Sequence, residues 1–107
     1  MYRLFNKKFE NQFIWLENEI KKCISNNKKI WLLNHEPPED SFYKQQFLRI
    51  VRKYHTHIIH QFYGHIHRDL FILMTHNNTA FGSGFIAPSF KPDNHDPTFR
   101  LYEYNGI

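Results

Sequence analysis

The sequence predicts a layered α/β domain, and three features of the chain support this prediction. Apolar residues recur at steps of three and four over residues 8–25, which is the spacing of an amphipathic helix. The run at residues 29–34 is short and almost continuously apolar, which indicates a strand buried on both faces. A second helical pattern and several strand-like stretches follow. The predicted order is helix, strand, helix and then a run of strands.

The later elements have local signals of their own. The second helix is expected from Ser41 or Phe42 to Tyr54, with Ser41 as its N-cap. Asn77-Asn78 predicts a turn, and Gly82 and Gly84 indicate close packing or a bulge in the strand that follows it. A polar, proline-containing loop is expected at residues 88–97. The strands after the second helix are expected at residues 57–62, 71–74, 80–87 and 99–104.

Composition limits the classes of function. A length of 107 residues allows one domain at most, and an aromatic content of 18% favours a packed chain. The net charge is +4, but the lysines occur in scattered pairs that suit solvated helix faces, so nucleic-acid binding is not expected. The single Cys23 is interpreted as a small core residue. The sequence has no apolar stretch of the ~20 residues that span a bilayer, and no signal-peptide pattern at its start.

Three histidines stand at or just beyond predicted strand ends. His35 follows the first strand, and Gly64-His65-Ile66-His67 follows the second. On an extended backbone His65 and His67 project to the same side, and Gly64 permits a sharp turn and a close approach. Because consecutive strands usually neighbour each other, we expect the three imidazoles to converge on a divalent transition metal. The alternative is a histidine-rich surface turn, since the chain contains 8 histidines.

Two further positions are candidates for specific roles. Asp69 either accepts a hydrogen bond from a metal-bound imidazole or pairs with Arg68 at the surface. Asn77 begins an Asn-Asn-Thr sequon and is a candidate for glycosylation. The other histidines are interpreted as structural or surface residues: His55, His57, His60, His76 and His95.

An ordered series of motifs resembles the acid sphingomyelinase-like phosphodiesterases, which are dinuclear metallophosphoesterases of the calcineurin-like superfamily. The central motifs are His35-x-Pro37-Pro38 and the stretch 61–71, which reads Gln-Phe-Tyr-Gly-His-Ile-His-x-Asp-x-Phe. The stretch 12–16, Gln-x-x-Trp-Leu, resembles a family segment before them. Ala-Pro-Ser at 87–89 and Asp-Pro-Thr-Phe-Arg-Leu-Tyr at 96–102 resemble segments after them. The likeness covers nearly the whole chain in the family's order.

The resemblance implies a four-layer α/β/β/α sandwich and two zinc ions, bridged by a hydroxide that attacks a phosphodiester. His35 and His65 would bind one zinc and His67 the other. The family's remaining ligands and its leaving-group acid belong to Asp-x-His, bridging Asp and Gly-Asn-His motifs, which do not occur before His35. Residues 1–107 are therefore expected to form the C-terminal half of a metallophosphoesterase domain that lacks its N-terminal half. No catalytic residue is assigned within the chain.

Several expectations follow from this resemblance. The chain alone is expected to be inactive, as a truncated gene product, one piece of a split gene or a degenerate paralogue. The alternatives are a non-catalytic zinc-binding protein and, less favoured, a basic module for nucleic acid or lipid. Asn34, Glu39 and Leu70 depart from the family pattern, and the first two predict a looser loop around His35. Sphingomyelin and nucleotide-like substrates both stay open. A secreted or lysosomal location is implied, and an exposed apolar surface predicts poor solubility or oligomerisation.

Overall fold

The computed structural model describes residues 2–38, 43–92 and 95–106, and it confirms the mixed α/β class. Within these residues, helices and strands follow each other in the predicted order. They are α1 (Tyr2–Ser25), β1 (Ile30–Leu33), α2 (Lys44–Lys53), β2 (Ile58–Tyr63), β3 (Leu70–His76) and β4 (Thr79–Ile86).

The four strands form one sheet in the order β1-β2-β4-β3. β1 is parallel to β2, β2 is parallel to β4, and β3 is antiparallel to β4. The expectation that the first two strands are neighbours is confirmed. Because they run parallel, with α2 between them in the chain, their carboxyl ends meet at the same edge of the sheet.

The turn between β3 and β4 lies where the sequence predicts it. Asn77 and Asn78 both have positive φ values, of 49° and 61°. Two consecutive left-handed residues match a two-residue hairpin turn of type I′, whose twist suits antiparallel strands, and asparagine tolerates this conformation well. The sequon at Asn77 is therefore on an exposed hairpin tip.

The hydrophobic core lies on one face of the sheet, beneath the helices. Among the described side chains of α1, Ile20 is fully buried, and Phe13, Leu16 and Ile24 are partly buried against the core. The sheet contributes mainly alternate residues, as a sheet buried on one face should. The buried apolar residues are Ile20, Leu32, Phe47, Ile50, Val51, Tyr54, Ile58, Tyr63, Ile72, Met74 and Ile86.

Close packing at the glycines of β4 is confirmed. A Cβ atom at Gly84 would lie 2.8 Å from the ring of Tyr63, which is closer than real carbon atoms approach each other. A Cβ atom at Gly82 would lie 3.1 Å from Nε2 of Gln61. The missing side chains allow the larger residues of β2 to lie against the backbone of β4.

The opposite face of the sheet is apolar and largely exposed. The prediction that β1 is buried on both faces is wrong, since Trp31 is 44% and Leu33 is 75% exposed. Within the described residues, the helices cover the other face, and aromatic rings from the C-terminal segment lie over this one. Tyr104 packs edge-on against Trp31, with ring centroids 4.9 Å apart, and Tyr102 lies 5.1 Å from Phe62.

The predicted strand at residues 99–104 is also wrong, because this segment is irregular. Its alternating pattern has another cause. Tyr102 and Tyr104 place their rings on the sheet face, whereas Phe99 and Leu101 are 62% and 84% exposed. Ring contacts with the sheet face require no ladder hydrogen bonds, so an alternating pattern here does not specify a strand.

Several element boundaries differ from the prediction. α1 begins at Tyr2 rather than near residue 8. α2 begins at Lys44, and the side chain of its N-cap residue, Tyr43, makes no capping hydrogen bond. The predicted N-cap, Ser41, lies outside the described residues. Cys23 is half-buried rather than fully in the core. No helix in the described part of the chain is both long and apolar enough to cross a membrane.

Glu17 joins the two helices through a pair of hydrogen bonds. Its Oε1 accepts from Lys53 Nζ at 2.7 Å and from the Tyr54 hydroxyl at 2.8 Å. The Glu17 side chain is 19% exposed. The bond from Lys53, followed by that from Tyr54, lowers the pKa of Glu17 from 4.5 to about 2.

Glu17→Gln tests this contact through its pH dependence. Because the folded pKa is below the unfolded value of 4.5, ionised Glu17 stabilises the fold above that pH, and the stabilisation is lost as the pH falls toward about 2. We expect the variant to melt at a lower temperature at neutral pH and to lose less further stability on acidification. Glu19→Gln, which removes an exposed pair with Lys22, is the matched control. An unchanged acid slope in Glu17→Gln would contradict the assignment.

Candidate functional site

The pairing of β1 with β2 continues beyond the strand ends and brings two of the predicted histidines together. The Asn34 N–H donates to the Phe62 carbonyl at 3.0 Å, and the Gly64 N–H donates to the His35 carbonyl at 2.9 Å. His35 therefore lies beside Gly64, next to His65. The rings of His35 and His65 are 5.3 Å apart and nearly perpendicular, at 81°. His35 and His65 are both exposed, and they lie at the carboxyl edge of the sheet.

The backbone around His65 and His67 is not extended, so the alternation argument for their common direction is wrong. β2 ends at Tyr63, and His65 and His67 have φ values of 69° and 61°. The Ile66 N–H donates to the Gly64 carbonyl at 2.8 Å, which makes a γ-turn of the strained, positive-φ kind centred on His65. Such conformations cost about 1–3 kcal/mol each and cluster at functional sites.

The sharp turn expected at Gly64 lies instead at these two histidines. The close approach expected there is made by His35, because a Cβ atom at residue 64 would lie 3.6 Å from Nδ1 of His35. That distance is an ordinary van der Waals contact. Gly64 therefore borders the His35 ring without being required by a steric conflict.

Asn34 organises the loop that presents His35. Its Oδ1 accepts from the His35 N–H at 3.0 Å, and its Nδ2 donates to the Glu36 carbonyl at 3.2 Å. Pro37 and Pro38 are buried immediately afterwards. Asn34 therefore contributes two hydrogen bonds to the loop that it was expected to loosen. The other departure thought to loosen it, Glu39, lies outside the described residues.

A cavity of about 440 Å³ lies between the His65–Asp69 loop and the C-terminal loop. Asp69 borders it, and its Oδ2 accepts from Arg100 Nη2 at 2.5 Å. This contact differs from both predicted alternatives for Asp69, an imidazole and Arg68. The cavity is lined by His65, Ile66, His67, Arg68, Asp69, Pro88, His95 and Thr98.

His95 is a site residue that the sequence did not reveal. Its ring lines the same cavity as His65 and His67. Nδ1 lies 2.9 Å from the Asp96 carbonyl oxygen, and Nε2 is buried with no hydrogen-bond partner in the described part of the chain. No local pattern distinguishes this histidine from a surface turn residue. Its position depends on the return of the C-terminal loop, which Thr98 N–H joins to the Ser89 carbonyl at 2.9 Å.

Buried polar residues of β2 support the site from within. The Tyr63 hydroxyl donates to Oε1 of Gln61 at 2.7 Å, and both residues are 3% exposed. Burial raises the pKa of Tyr63 far above its usual range, so the hydroxyl stays neutral and remains a donor. This bond gives the buried Tyr63 hydroxyl an acceptor within the strand from which the histidine loop departs.

The described histidines have the chemistry for zinc but not the arrangement. Imidazole nitrogens are common zinc ligands, and His35, His65, His67 and His95 supply them at one edge of the sheet. Among residues 2–38, 43–92 and 95–106, however, no three histidine, cysteine or acidic side chains lie close enough together to hold one ion. As they stand, these residues do not fit a zinc ion by themselves. The assignment of His35, His65 and His67 as ligands stays a prediction.

Comparison with known proteins finds relatives that are named phosphodiesterases. No protein-family model matches the sequence. Mouse cyclic GMP-AMP phosphodiesterase SMPDL3A is 33% identical over 113 residues, covering 88% of this chain and 25% of the relative. Sphingomyelin phosphodiesterase 2 of Caenorhabditis elegans is 30% identical, covering 86% of this chain and 16% of the relative. Human acid sphingomyelinase-like phosphodiesterase 3b is 26% identical, and the match covers 88% of this chain and 26% of the relative.

The resemblance of the motifs to the acid sphingomyelinase-like phosphodiesterases is confirmed, because relatives with these names match about 88% of this chain at 25–33% identity. The chain spans about a quarter of the length of the mouse and human relatives and less of the nematode enzyme.

Substitutions at His65 test the left-handed turn. Because a Cβ atom destabilises this backbone conformation by roughly 1–2 kcal/mol, His65→Gly is expected to be more stable than His65→Ala by about that amount. Urea unfolding of the metal-free chain measures the difference. At His76, in β3, the order is expected to reverse, because glycine destabilises a strand. A His65→Ala chain at least as stable as His65→Gly would show that residue 65 is not left-handed in solution.

Proposed function

We propose that this chain contributes histidine ligands to the active site of a metal-dependent phosphodiesterase. The observation that carries the proposal is the contact between His35 and His65, whose rings are 5.3 Å apart at the carboxyl edge of two parallel strands. In open α/β sheets, ligands bind beyond the carboxyl ends of the strands. The relatives named as phosphodiesterases support the class of reaction.

In this proposal His35 and His65 bind one zinc ion and His67 a second. The sheet and its helices form two layers of a four-layer α/β/β/α sandwich. The second sheet packs on the exposed face that carries Trp31 and Leu33, which accounts for the apolar character of that face.

A complete site also requires further groups. In the family these groups belong to motifs that do not occur in this sequence before His35. Neutral imidazoles do not offset the charge of two dications, and a phosphodiester needs a proton donor for its leaving oxygen. We therefore propose that the 107-residue chain does not hydrolyse phosphodiesters by itself. Its substrates in a complete enzyme are phospholipid or cyclic-dinucleotide phosphodiesters, the two kinds that the names of its relatives indicate.

A chimera tests the role of these histidines in a complete site. The 107 residues replace the matching segment of the mouse relative, and turnover of a chromogenic phosphodiester is measured with and without a chelator. We expect chelator-sensitive turnover in the chimera. His35→Ala and His67→Ala are each expected to lower it by about 100-fold or more, since even the loss of a residue that only supports a metal ligand typically costs 10–100-fold. His55→Ala, at the exposed turn before β2, is the matched control.

The outcomes separate the proposal from its main competitor. A folded chimera that binds zinc but has no activity favours a non-catalytic zinc protein or a degenerate paralogue. Zinc-dependent turnover by the purified 107-residue chain, abolished by His67→Ala, would contradict the proposed incompleteness of its site.

A further inference from the structure

The cavity between the His65–Asp69 loop and the C-terminal loop contains a positive charge that its described lining does not offset. Apart from imidazoles, the ionisable side chains of this lining are Arg68 and Asp69, and the Asp69 carboxylate accepts from Arg100. We infer that the Arg68 guanidinium binds an anionic group that the substrate carries in addition to the phosphodiester that is cleaved. The inference rests on the proposed function and makes Arg68 a residue that selects the substrate.

The Arg68 side chain is exposed and available to a ligand. Arg100, rather than Arg68, pairs with Asp69. No hydrogen bond or ion pair engages the Arg68 side chain among residues 2–38, 43–92 and 95–106. A guanidinium presents its N–H donors in a planar fork that matches the oxygens of a phosphate. Arg68 therefore provides a phosphate-binding group on the wall of this cavity.

The position of Arg68 relates it to the histidines that the proposed function uses. Arg68 follows His67 directly, and both His65 and His67 line the same cavity. A volume of about 440 Å³ is suitable for a small molecule. A phosphodiester bound at these histidines therefore shares the cavity with Arg68, whose charge attracts an anionic substituent and repels a cationic one.

This charge distinguishes the two kinds of substrate that the names of the relatives indicate. Cyclic GMP-AMP contains two phosphodiesters, so one of them remains as an anionic neighbour while the other is cleaved. Sphingomyelin carries a quaternary ammonium, which proteins bind with the faces of aromatic rings. No phenylalanine, tyrosine or tryptophan is among the described residues that line this cavity. The lining therefore favours a substrate with a second phosphate.

A second cavity provides the competing interpretation. It has a volume of about 500 Å³ and borders His35. Its lining includes Trp15, Tyr43 and Glu36, and aromatic rings beside a carboxylate suit a quaternary ammonium. However, one of the three histidines predicted as metal ligands lines this cavity, whereas two line the cavity at Arg68. The cavity at Arg68 is therefore the better candidate for the group next to the reacting phosphate.

NMR titration of the 107-residue chain, with a chelator and at low salt, tests Arg68 without metal or turnover. The probes are cyclic GMP-AMP and the linear dinucleoside monophosphate of guanosine and adenosine, which has the same bases but a single phosphate. We expect cyclic GMP-AMP to bind more tightly. Arg68→Gln is expected to reduce this preference about three- to tenfold, as for a partly solvated bond between charged groups.

Two further variants control for charge and geometry. Arg52→Gln removes the same charge from an exposed position on α2 and is expected to leave the preference unchanged. Arg68→Lys keeps the charge but loses the planar fork, so it is expected to retain part of the preference. Because Arg68 is exposed and has no partner in the described structure, Arg68→Gln is expected to melt at the same temperature as the unsubstituted chain.

The outcomes separate this inference from the proposed function. A preference that Arg68→Gln does not change overturns the inference, as does an unsubstituted chain that does not bind cyclic GMP-AMP. Tighter binding of phosphocholine, weakened by Trp15→Ala, overturns it in favour of the cavity beside His35. In each of these cases, chelator-sensitive turnover by the chimera leaves the proposed function standing. An inactive chimera whose chain keeps the Arg68-dependent preference contradicts the proposed function alone.

Discussion

The candidate site depends on the parallel pairing of β1 with β2 and on the two hydrogen bonds that extend it. The bond from Asn34 N–H to the Phe62 carbonyl, followed by that from Gly64 N–H to the His35 carbonyl, carries the ladder past both strands. His35 and His65 are far apart in sequence, and this ladder brings their two segments side by side. A slip of one residue would turn the side chains of β2 to the opposite face. Tyr63 opposes such a slip, because its buried ring lies against the backbone of Gly84 on the covered face.

Two loops of different character extend from this ordered edge. The first contains His65 and His67 in left-handed conformations, and the second returns along the cavity with His95. The Arg100–Asp69 ion pair joins them at the surface, where an exposed pair contributes little stability. Among the described residues, the aromatic face of the sheet is a second exposed surface.

Local patterns were sufficient to predict the class of fold, the order of its elements and the Asn77-Asn78 turn. They failed where tertiary contacts decide. β1 was expected to be buried on both faces because its run is apolar, but the helices cover only one side, and Leu33 is exposed. The alternation at residues 99–104 comes from edge-on contacts of Tyr102 and Tyr104 with rings of the sheet rather than from a strand. For the site, strand order predicted the meeting of His35 with His65. No sequence pattern predicts positive φ at two histidines or the return of His95.

The most direct test of this arrangement is the nuclear Overhauser effect between the imidazole protons of His35 and His65 in the metal-free chain. A cross-peak is predicted, because the ring centroids are 5.3 Å apart. The edge-on contact between Trp31 and His60, at 5.1 Å, provides an internal reference of similar geometry on the same two strands. A spectrum that shows the Trp31–His60 cross-peak but none between His35 and His65 would contradict the claim that strand pairing assembles the site.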